Sequence, residues 1–137
     1  MIIKCISSFR VFSETLSVQQ LTEILNYKPS HSYEKGDLVS NISRSTRQQT
    51  MWMYSVQSEG TDCIEHCCTK LIPVIEATQE HLSQIENVSA DITTGVFSDN
   101  EQLNFYIPHN FSLLLGSAQL NHLISGYITT QQETKRY

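Results

Sequence analysis

The densest group of potentially reactive side chains is a run of three cysteines and one histidine, Cys63, His66, Cys67 and Cys68. Thiolates and imidazole are ligands that zinc prefers, so this run could hold a soft metal ion. In a helix, however, Cys63 and Cys67 lie one turn apart while His66 diverges from that line, and no second ligand pair follows at zinc-finger spacing. Small thiols buried in a helix explain the run more simply. We therefore expect neither a metal nor a cofactor.

Nucleophilic catalysis is the second chemistry that this run could perform, because His66 directly precedes Cys67. Adjacent residues on a helix point about 100° apart, so these two side chains do not form a nucleophile and its base. The other histidines follow no His-Glu-x-x-His pattern, and the five glycines form no phosphate-binding loop. The sequence favours a binding protein over an enzyme, with His66 and a neighbouring thiol as the remaining enzymatic alternative.

Charge is distributed unevenly along the 137 residues, although the net charge is only −5. Residues 59–91 contain one base, Lys70, and the acids Glu59, Asp62, Glu65, Glu76, Glu80, Glu86 and Asp91. The segment 28–47 has the opposite bias, with the bases Lys28, Lys35, Arg44 and Arg47. A chain without a Lys/Arg surplus cannot neutralise many phosphates, which argues against general nucleic-acid binding. The acidic segment either keeps the protein soluble or forms a docking surface for a basic partner.

The first elements that could position these side chains are a strand and a short helix. Residues 2–12 carry apolar side chains in imperfect alternation, which is typical of a largely buried strand. Ser17 stands three residues before Gln20, and this capping-box pattern predicts the start of a helix. The helix is expected to end near Tyr27, because Pro29 cannot continue it.

A long polar connection and a second strand follow. Residues 30–50 are mostly polar, with room for a short strand around residues 38–42. A connection of this length in a small domain is usually functional or mobile. Residues 51–57 alternate around Trp52 and Tyr54, which predicts a strand with one aromatic face.

The longest predicted helix carries most of the acidic residues. Asp62 and Glu65 have capping-box spacing, and apolar side chains recur every three or four residues as far as Ile85. This apolar stripe should cover the sheet. Pro73 lies inside the pattern, so we expect a kink or a short break near Leu71.

The C-terminal part of the chain shows shorter patterns. The predicted segments are a strand over 88–97, a turn at 98–100, a return strand over 103–107, a helix begun by Pro108 and ended by Gly116, and a strand over 120–128. We therefore expect one α+β domain over 1–128, with a mainly antiparallel sheet of about five strands and helices on one face, as in ferredoxin-like domains. Residues 129–137 are predicted to form a polar C-terminal tail.

The N-terminal sequence and the cysteines indicate a compartment. The first ten residues are too short and too polar for the apolar core of a signal peptide, and no apolar run is long enough to span a bilayer. We therefore expect a cytoplasmic protein that does not contact membranes. In a reducing cytoplasm all four cysteines are expected to be free thiols.

A family resemblance covers about residues 4–128. The motifs that carry it are Phe9-Arg10-Val11-Phe12, the turn Lys35-Gly36-Asp37, Trp52 at the start of a strand, Ile64-Glu65-His66, the strand end Gly95-Val96-Phe97-Ser98, and Tyr127. With this spacing the chain resembles the small bacterial family known as domain of unknown function 4279. It departs from the family where Gln48-Gln49-Thr50-Met51 precedes the tryptophan, since family members often have a longer glycine-bearing segment there. The resemblance implies a binding protein of the kind that accompanies bacterial toxins as an immunity protein, and it supplies no active-site residues.

These observations lead to a functional hypothesis. The protein is expected to bind and neutralise a cognate bacterial toxin domain of the contact-dependent or polymorphic type, with a basic nuclease as the expected kind of toxin. The candidate partner-binding residues are Asp62, Glu65, Glu76 and Glu80, with Tyr27 and Tyr33 as aromatic anchors. The alternative is a protein- or ligand-binding module unrelated to toxins, in which Trp52 and the turn Lys35-Gly36-Asp37 line a pocket. An exposed sheet edge could also pair with a second copy of the chain.

Overall fold

The computed structural model describes residues 1–101 and 103–129. They form five strands and three helices, which in chain order are β1 (Ile2–Ser13), α1 (Val18–Leu25), β2 (His31–Tyr33), β3 (Thr50–Glu59), α2 (Cys63–Ser83), β4 (Val88–Ser98), α3 (His109–Ser117) and β5 (Asn121–Ile128). The α+β class is confirmed. The predicted tail over 129–137 lies, apart from Thr129, outside the described residues.

The five strands form one sheet in the order β2-β3-β1-β4-β5. β1 is the central strand and pairs antiparallel with β3 on one side and with β4 on the other. β2 pairs antiparallel with β3, whereas β5 runs parallel to β4. The prediction of a mainly antiparallel sheet is therefore wrong, because α3 connects β4 to β5 by a crossover and the sheet is mixed. The ferredoxin-like arrangement stays a prediction.

The ladder registers divide the sheet into two faces. Phe9 of β1 is opposite Tyr54 of β3 and Ile92 of β4, so these side chains share the face that the helices cover. The neighbouring Arg10 is opposite Met53 and Asp91, on the face without helices. We call the first the helix face and the second the open face.

The hydrophobic core lies between the helix face and the three helices. α2 packs over β1 and β3, and both α1 and α3 contact α2. Trp52 and Phe9 are completely buried and meet edge to face, with ring centroids 5.7 Å apart. Helices on one face and an aromatic side of β3 are thus confirmed, and Trp52 belongs to the core.

The ends of the helices agree only in part with the sequence signals. The capping box is confirmed at α1, where Ser17 Oγ accepts from the Gln20 backbone N–H at 3.1 Å and Gln20 Oε1 accepts from the Ser17 N–H at 2.9 Å. Asp62 is the N-cap of α2 but makes no side-chain capping bond, so the second predicted box is wrong. Pro73 lies inside α2, which continues to Ser83 without a break, so of the two expected outcomes only the kink stays a prediction.

Three other predictions differ from the structure. Residues 103–107 are not a strand, because β5 pairs with β4 at the edge that the return strand would need. Leu103 and Phe105 instead pack against the core from an irregular segment. Their inward contacts give the sequence the same alternation of apolar and polar residues as a strand. Gly116 does not end α3, since Gln119 adopts the left-handed conformation (φ 56°) after the helix. In the polar connection, residues 38–42 form only an isolated bridge from Leu38 to Thr46.

Candidate protein-binding surface

Three exposed glutamates form a stripe on the outer side of α2. Glu65, Glu76 and Glu80 fall within about 60° of one another at 100° per residue, and they span about 22 Å of the helix axis. The side chains between them that point inward, including Leu71 and Ile75, are completely buried. We call these three glutamates the acidic stripe. Its orientation follows from the amphipathic period of α2, because the apolar side of the helix is fixed against the sheet.

No cation within residues 1–101 and 103–129 forms an ion pair with the acidic stripe. Lys70, the one base between residues 59 and 91, donates from Nζ to the Gln57 carbonyl oxygen at 3.1 Å. Its ammonium group is therefore turned toward β3. The stripe thus keeps its negative potential, which is the property that attracts a basic partner.

Asp62 lies near the stripe, at the N-terminal end of α2. Its backbone carbonyl accepts the first helical hydrogen bond, from the His66 N–H at 3.0 Å, while its side chain is exposed. Asp91, by contrast, lies on the open face and accepts two hydrogen bonds from Arg10, at 2.7 and 2.6 Å. The acidic residues of segment 59–91 are thus divided between the outer side of α2 and the open face of the sheet.

The two tyrosines predicted as anchors lie on opposite faces of the sheet. Tyr27 follows α1 and meets Tyr54 edge to face, with centroids 5.4 Å apart. Desolvation, with Tyr54 nearby, raises the pKa of the Tyr27 phenol. Tyr33 of β2 is opposite Met51 on the open face, and the Arg47 guanidinium lies 4.1 Å from its ring centroid. The structure therefore does not bring Tyr33 together with the acidic stripe.

The turn Lys35-Gly36-Asp37 does not form a pocket with Trp52. Gly36 adopts φ 95° and donates its N–H to the Arg47 carbonyl at 2.8 Å, so the turn closes onto the neighbouring loop. The Asp37 carboxylate accepts from the Glu34 N–H at 2.8 Å. Trp52 is completely buried and donates from Nε1 to the Tyr27 carbonyl oxygen at 3.1 Å. The prediction that Trp52 and this turn line a pocket is thus wrong, because the tryptophan faces the core.

The cysteines form a buried group between β1 and α2. Cys5 and Cys63 are joined by a disulfide, with Cα atoms 5.7 Å apart, so the expectation of four free thiols is wrong. Cys67 and Cys68 are free and buried. Burial raises the pKa of both thiols, and that of Cys68 reaches about 12. Burial therefore favours the protonated form of both thiols, which is the less nucleophilic form.

His66 and Cys67 contact different groups. His66 Nδ1 lies 3.3 Å from Ser58 Oγ, whereas the Cys67 thiol is directed at the Cys5 carbonyl oxygen at 3.6 Å. Among these contacts none joins His66 to Cys67. Within the described part of the chain, no three His, Cys, Asp or Glu residues are arranged to hold a metal ion.

The open face carries side-chain contacts that the sequence did not predict. The rings of Phe97 and Tyr127 are stacked, with centroids 4.9 Å apart, and Lys4 Nζ lies 4.9 Å from the Phe97 centroid. The paired Arg10 and Asp91 lie on the same face. These side chains alternate with buried ones along their strands, and that alternation is the signal that could have found them.

A cleft of about 760 Å³ adjoins the acidic stripe. It lies between the C-terminal ends of α2 and α3, and Glu80, Leu82, Val88 and Gln119 are among its lining residues. Glu80 therefore belongs to both the stripe and the wall of the cleft. A long basic side chain that pairs with Glu80 could place its aliphatic part in this cleft.

None of the helices in the described residues is both long enough and apolar enough to cross a membrane.

Neither the curated proteins nor the solved structures contain a match to the chain. A family model, the domain of unknown function DUF4279, matches residues 3–128. Since this match covers nearly the whole sequence, the chain belongs to the DUF4279 family.

Proposed function

We propose that the protein is an immunity-type inhibitor, which binds a basic toxin domain of a bacterial contact-dependent or polymorphic system and occludes its active site. The acidic stripe on α2 is the observation that carries this proposal. Glu65, Glu76 and Glu80 present negative charge in a line, and no cation in the described residues forms an ion pair with them. A nuclease groove that binds a phosphate backbone has the complementary charge, so a nuclease is the preferred partner.

The close packing of α2 supports the same proposal. The helix has 21 residues, which corresponds to a length of about 31 Å, and eight of its residues are buried against the rest of the protein. A charged surface on a packed helix loses little conformational entropy when a partner binds. A standard interface of roughly 800 Å² per partner could be centred on this helix, with the cleft beside Glu80 as one binding pocket.

The proposed site of action is the cytoplasm, where an incoming nuclease would meet its substrate. Cys5 and Cys63 are both completely buried, so their disulfide is shielded from the reductants of that compartment. The inhibitor would then compete with nucleic acid for the same basic groove. Because such competition depends on charge, association should slow as salt increases.

The test uses the protein encoded by the adjacent gene, co-expressed and then purified as the binding partner. The association rate is measured at about 25 mM and at about 200 mM salt by surface-based kinetics. The variant E76Q/E80Q removes two negative charges from the stripe. The matched control is Q57K/S89K, which changes the net charge by the same amount but at exposed positions of the open face.

We expect E76Q/E80Q to slow association about tenfold at low salt, whereas Q57K/S89K has a much smaller effect. Equal slowing by both variants would show that only net charge matters, and it would refute a docking role for α2. A growth assay tests neutralisation separately. The protein encoded by the adjacent gene is expressed in cells that lack the immunity-type inhibitor. If it binds the inhibitor in vitro but does not slow the growth of these cells, the inhibitor is instead a binding module unrelated to toxins.

A further inference from the structure

We infer that the protein forms a two-fold symmetric dimer in which β5 of one copy pairs antiparallel with β5 of a second copy. β5 is the last strand in the sheet order, and over eight residues it pairs continuously with β4. In the part of the chain that the structure describes, no strand pairs with its other side. Its outer backbone groups are therefore available to a strand from another molecule.

The two edges of the sheet differ in how well they resist such pairing. Proteins usually protect an edge with short strands, proline, charged side chains or bulges. The β2 edge has these protections, since β2 is three residues long and follows Pro29 and Lys28. β5 (Asn121–Ile128) contains neither a charged residue nor a proline, and its ladder with β4 has no register shift. β5 is thus the less protected of the two edge strands.

β5 also exposes large apolar side chains on both faces. Leu123 and Tyr127 are 61% and 49% exposed on the open face, and Ile124 and Ile128 are 38% and 56% exposed on the helix face. Exposed apolar side chains on an unpaired strand favour a partner of the same character. A second copy supplies that character on both faces at once.

The sequence of β5 is self-complementary in one antiparallel register. When the two-fold axis passes through Ser125, Leu123 of each copy lies opposite Tyr127 of the other on the open face. On the helix face Ile124 lies opposite Gly126, so a large side chain meets a small one. Opposed pairs of this kind are the main source of stability between antiparallel strands, and this register brings together no like charges.

Leu103 fills the space beside Gly126 on the helix face. A Cβ atom at Gly126 would lie 2.5 Å from Leu103 Cδ1, so Leu103 already covers the glycine on the helix face. The partner's Ile124 would pack against Leu103 rather than against solvent. A pairing of eight-residue strands buries less area than a standard interface, so we expect a dissociation constant on the order of 10 μM.

The first measurement is the molecular mass by sedimentation equilibrium between about 1 and 200 μM. We expect a shift from the 15.6 kDa monomer toward twice that mass as the concentration rises. A monomer at every concentration would overturn the inference. This result would not affect the proposed function, because pairing through β5 leaves the acidic stripe exposed.

Cysteine cross-linking tests the register without disturbing the fold. In the proposed dimer the Cα atoms of Ser125 and its symmetry mate lie about 4.5–5.5 Å apart, so Ser125→Cys should form a disulfide-linked dimer when a mild oxidant such as diamide is added. Leu123→Cys is the matched control. The two copies of residue 123 are offset by about 14 Å along the strand, so this variant should stay monomeric on a non-reducing gel. Equal cross-linking of both variants would contradict the register.

A charge exchange tests the identity of the partner. Ser125→Lys and Ser125→Glu place like charges opposite each other. For each variant alone, the dissociation constant of the dimer should therefore be at least tenfold higher than for the unmodified protein. An equimolar mixture should form the dimer again, because lysine then faces glutamate. Gln57→Lys at the other end of the sheet is the control and should leave the mass unchanged. Dissociation caused by Gln57→Lys, or a mixture that stays monomeric, would refute pairing through β5.

Discussion

Replacing Trp52 with phenylalanine tests how β3 is held against α1. The indole is completely buried, meets Phe9 edge to face, and donates from Nε1 to the Tyr27 carbonyl oxygen at 3.1 Å. Trp52→Phe keeps an aromatic ring at this position but removes the donor and part of the volume. The variant therefore separates the hydrogen bond and the packing of the larger ring from the presence of an aromatic group.

The expected loss of stability has two parts. The missing ring atoms leave a cavity of roughly 40 Å³, which at about 24 cal/mol per Å³ costs about 1 kcal/mol. The Tyr27 carbonyl loses its donor in a partly buried environment, which costs about 1–3 kcal/mol. Together these terms predict that the free energy of unfolding falls by about 2–4 kcal/mol.

The assay is urea unfolding followed by far-UV circular dichroism, since the variant lacks the one tryptophan that fluorescence would use. Met53→Leu is the control, because residue 53 is on the same strand but on the open face, and this change conserves volume. We expect the control to change stability by less than about 0.5 kcal/mol. A Trp52→Phe protein within that same range would refute the assigned role of the indole.

Three further outcomes are expected from single side chains. Burial lowers the pKa of His122, whose Nε2 lies 2.7 Å from Thr94 Oγ1, so folding favours the neutral ring. The neutral His122 ring should contribute its full stabilisation above the unfolded pKa of about 6.5. This stabilisation should disappear as pH falls through the lower pKa of the folded protein. Melting temperatures of the unmodified protein and of His122→Gln, measured at pH 7.5 and at pH 5, would detect the loss. Asp91→Asn should cost about 0.5–1 kcal/mol in chemical denaturation, and added salt should reduce this cost because the pair with Arg10 is partly exposed. Cys68, with a pKa of about 12, should resist iodoacetamide at pH 8 in the folded protein and react after unfolding, as intact mass would show.

Local signals in the sequence were sufficient for most of the elements. The capping box at Ser17, the alternation around Trp52 and the apolar period of α2 each depend on residues close together in the chain. The pairing of β4 depends instead on which distant strand reaches its edge. Leu103 and Phe105 have the alternation of a strand, yet β5 occupies that edge by running parallel to β4. A hairpin and a crossover therefore cannot be distinguished from the alternation alone.

The candidate site was predictable to a similar degree. The acidic stripe follows from the helical period, because buried residues on one side of α2 require Glu65, Glu76 and Glu80 to lie on the other. The position of Tyr33 depends on the register of a three-residue strand, which places it opposite Met51 on the open face. A shift of one residue would have placed its side chain on the helix face.

The central position of β1 has a consequence for how the chain folds during synthesis. Its hydrogen-bonded partners extend from Thr50, opposite Ser13, to Ser98, opposite Ile2. A nascent chain that has not yet released residues 88–98 from the ribosome leaves one side of this apolar strand unpaired. We therefore expect folding to begin late in translation and to be slow for a protein of this size, with β1 exposed to aggregation until β4 arrives.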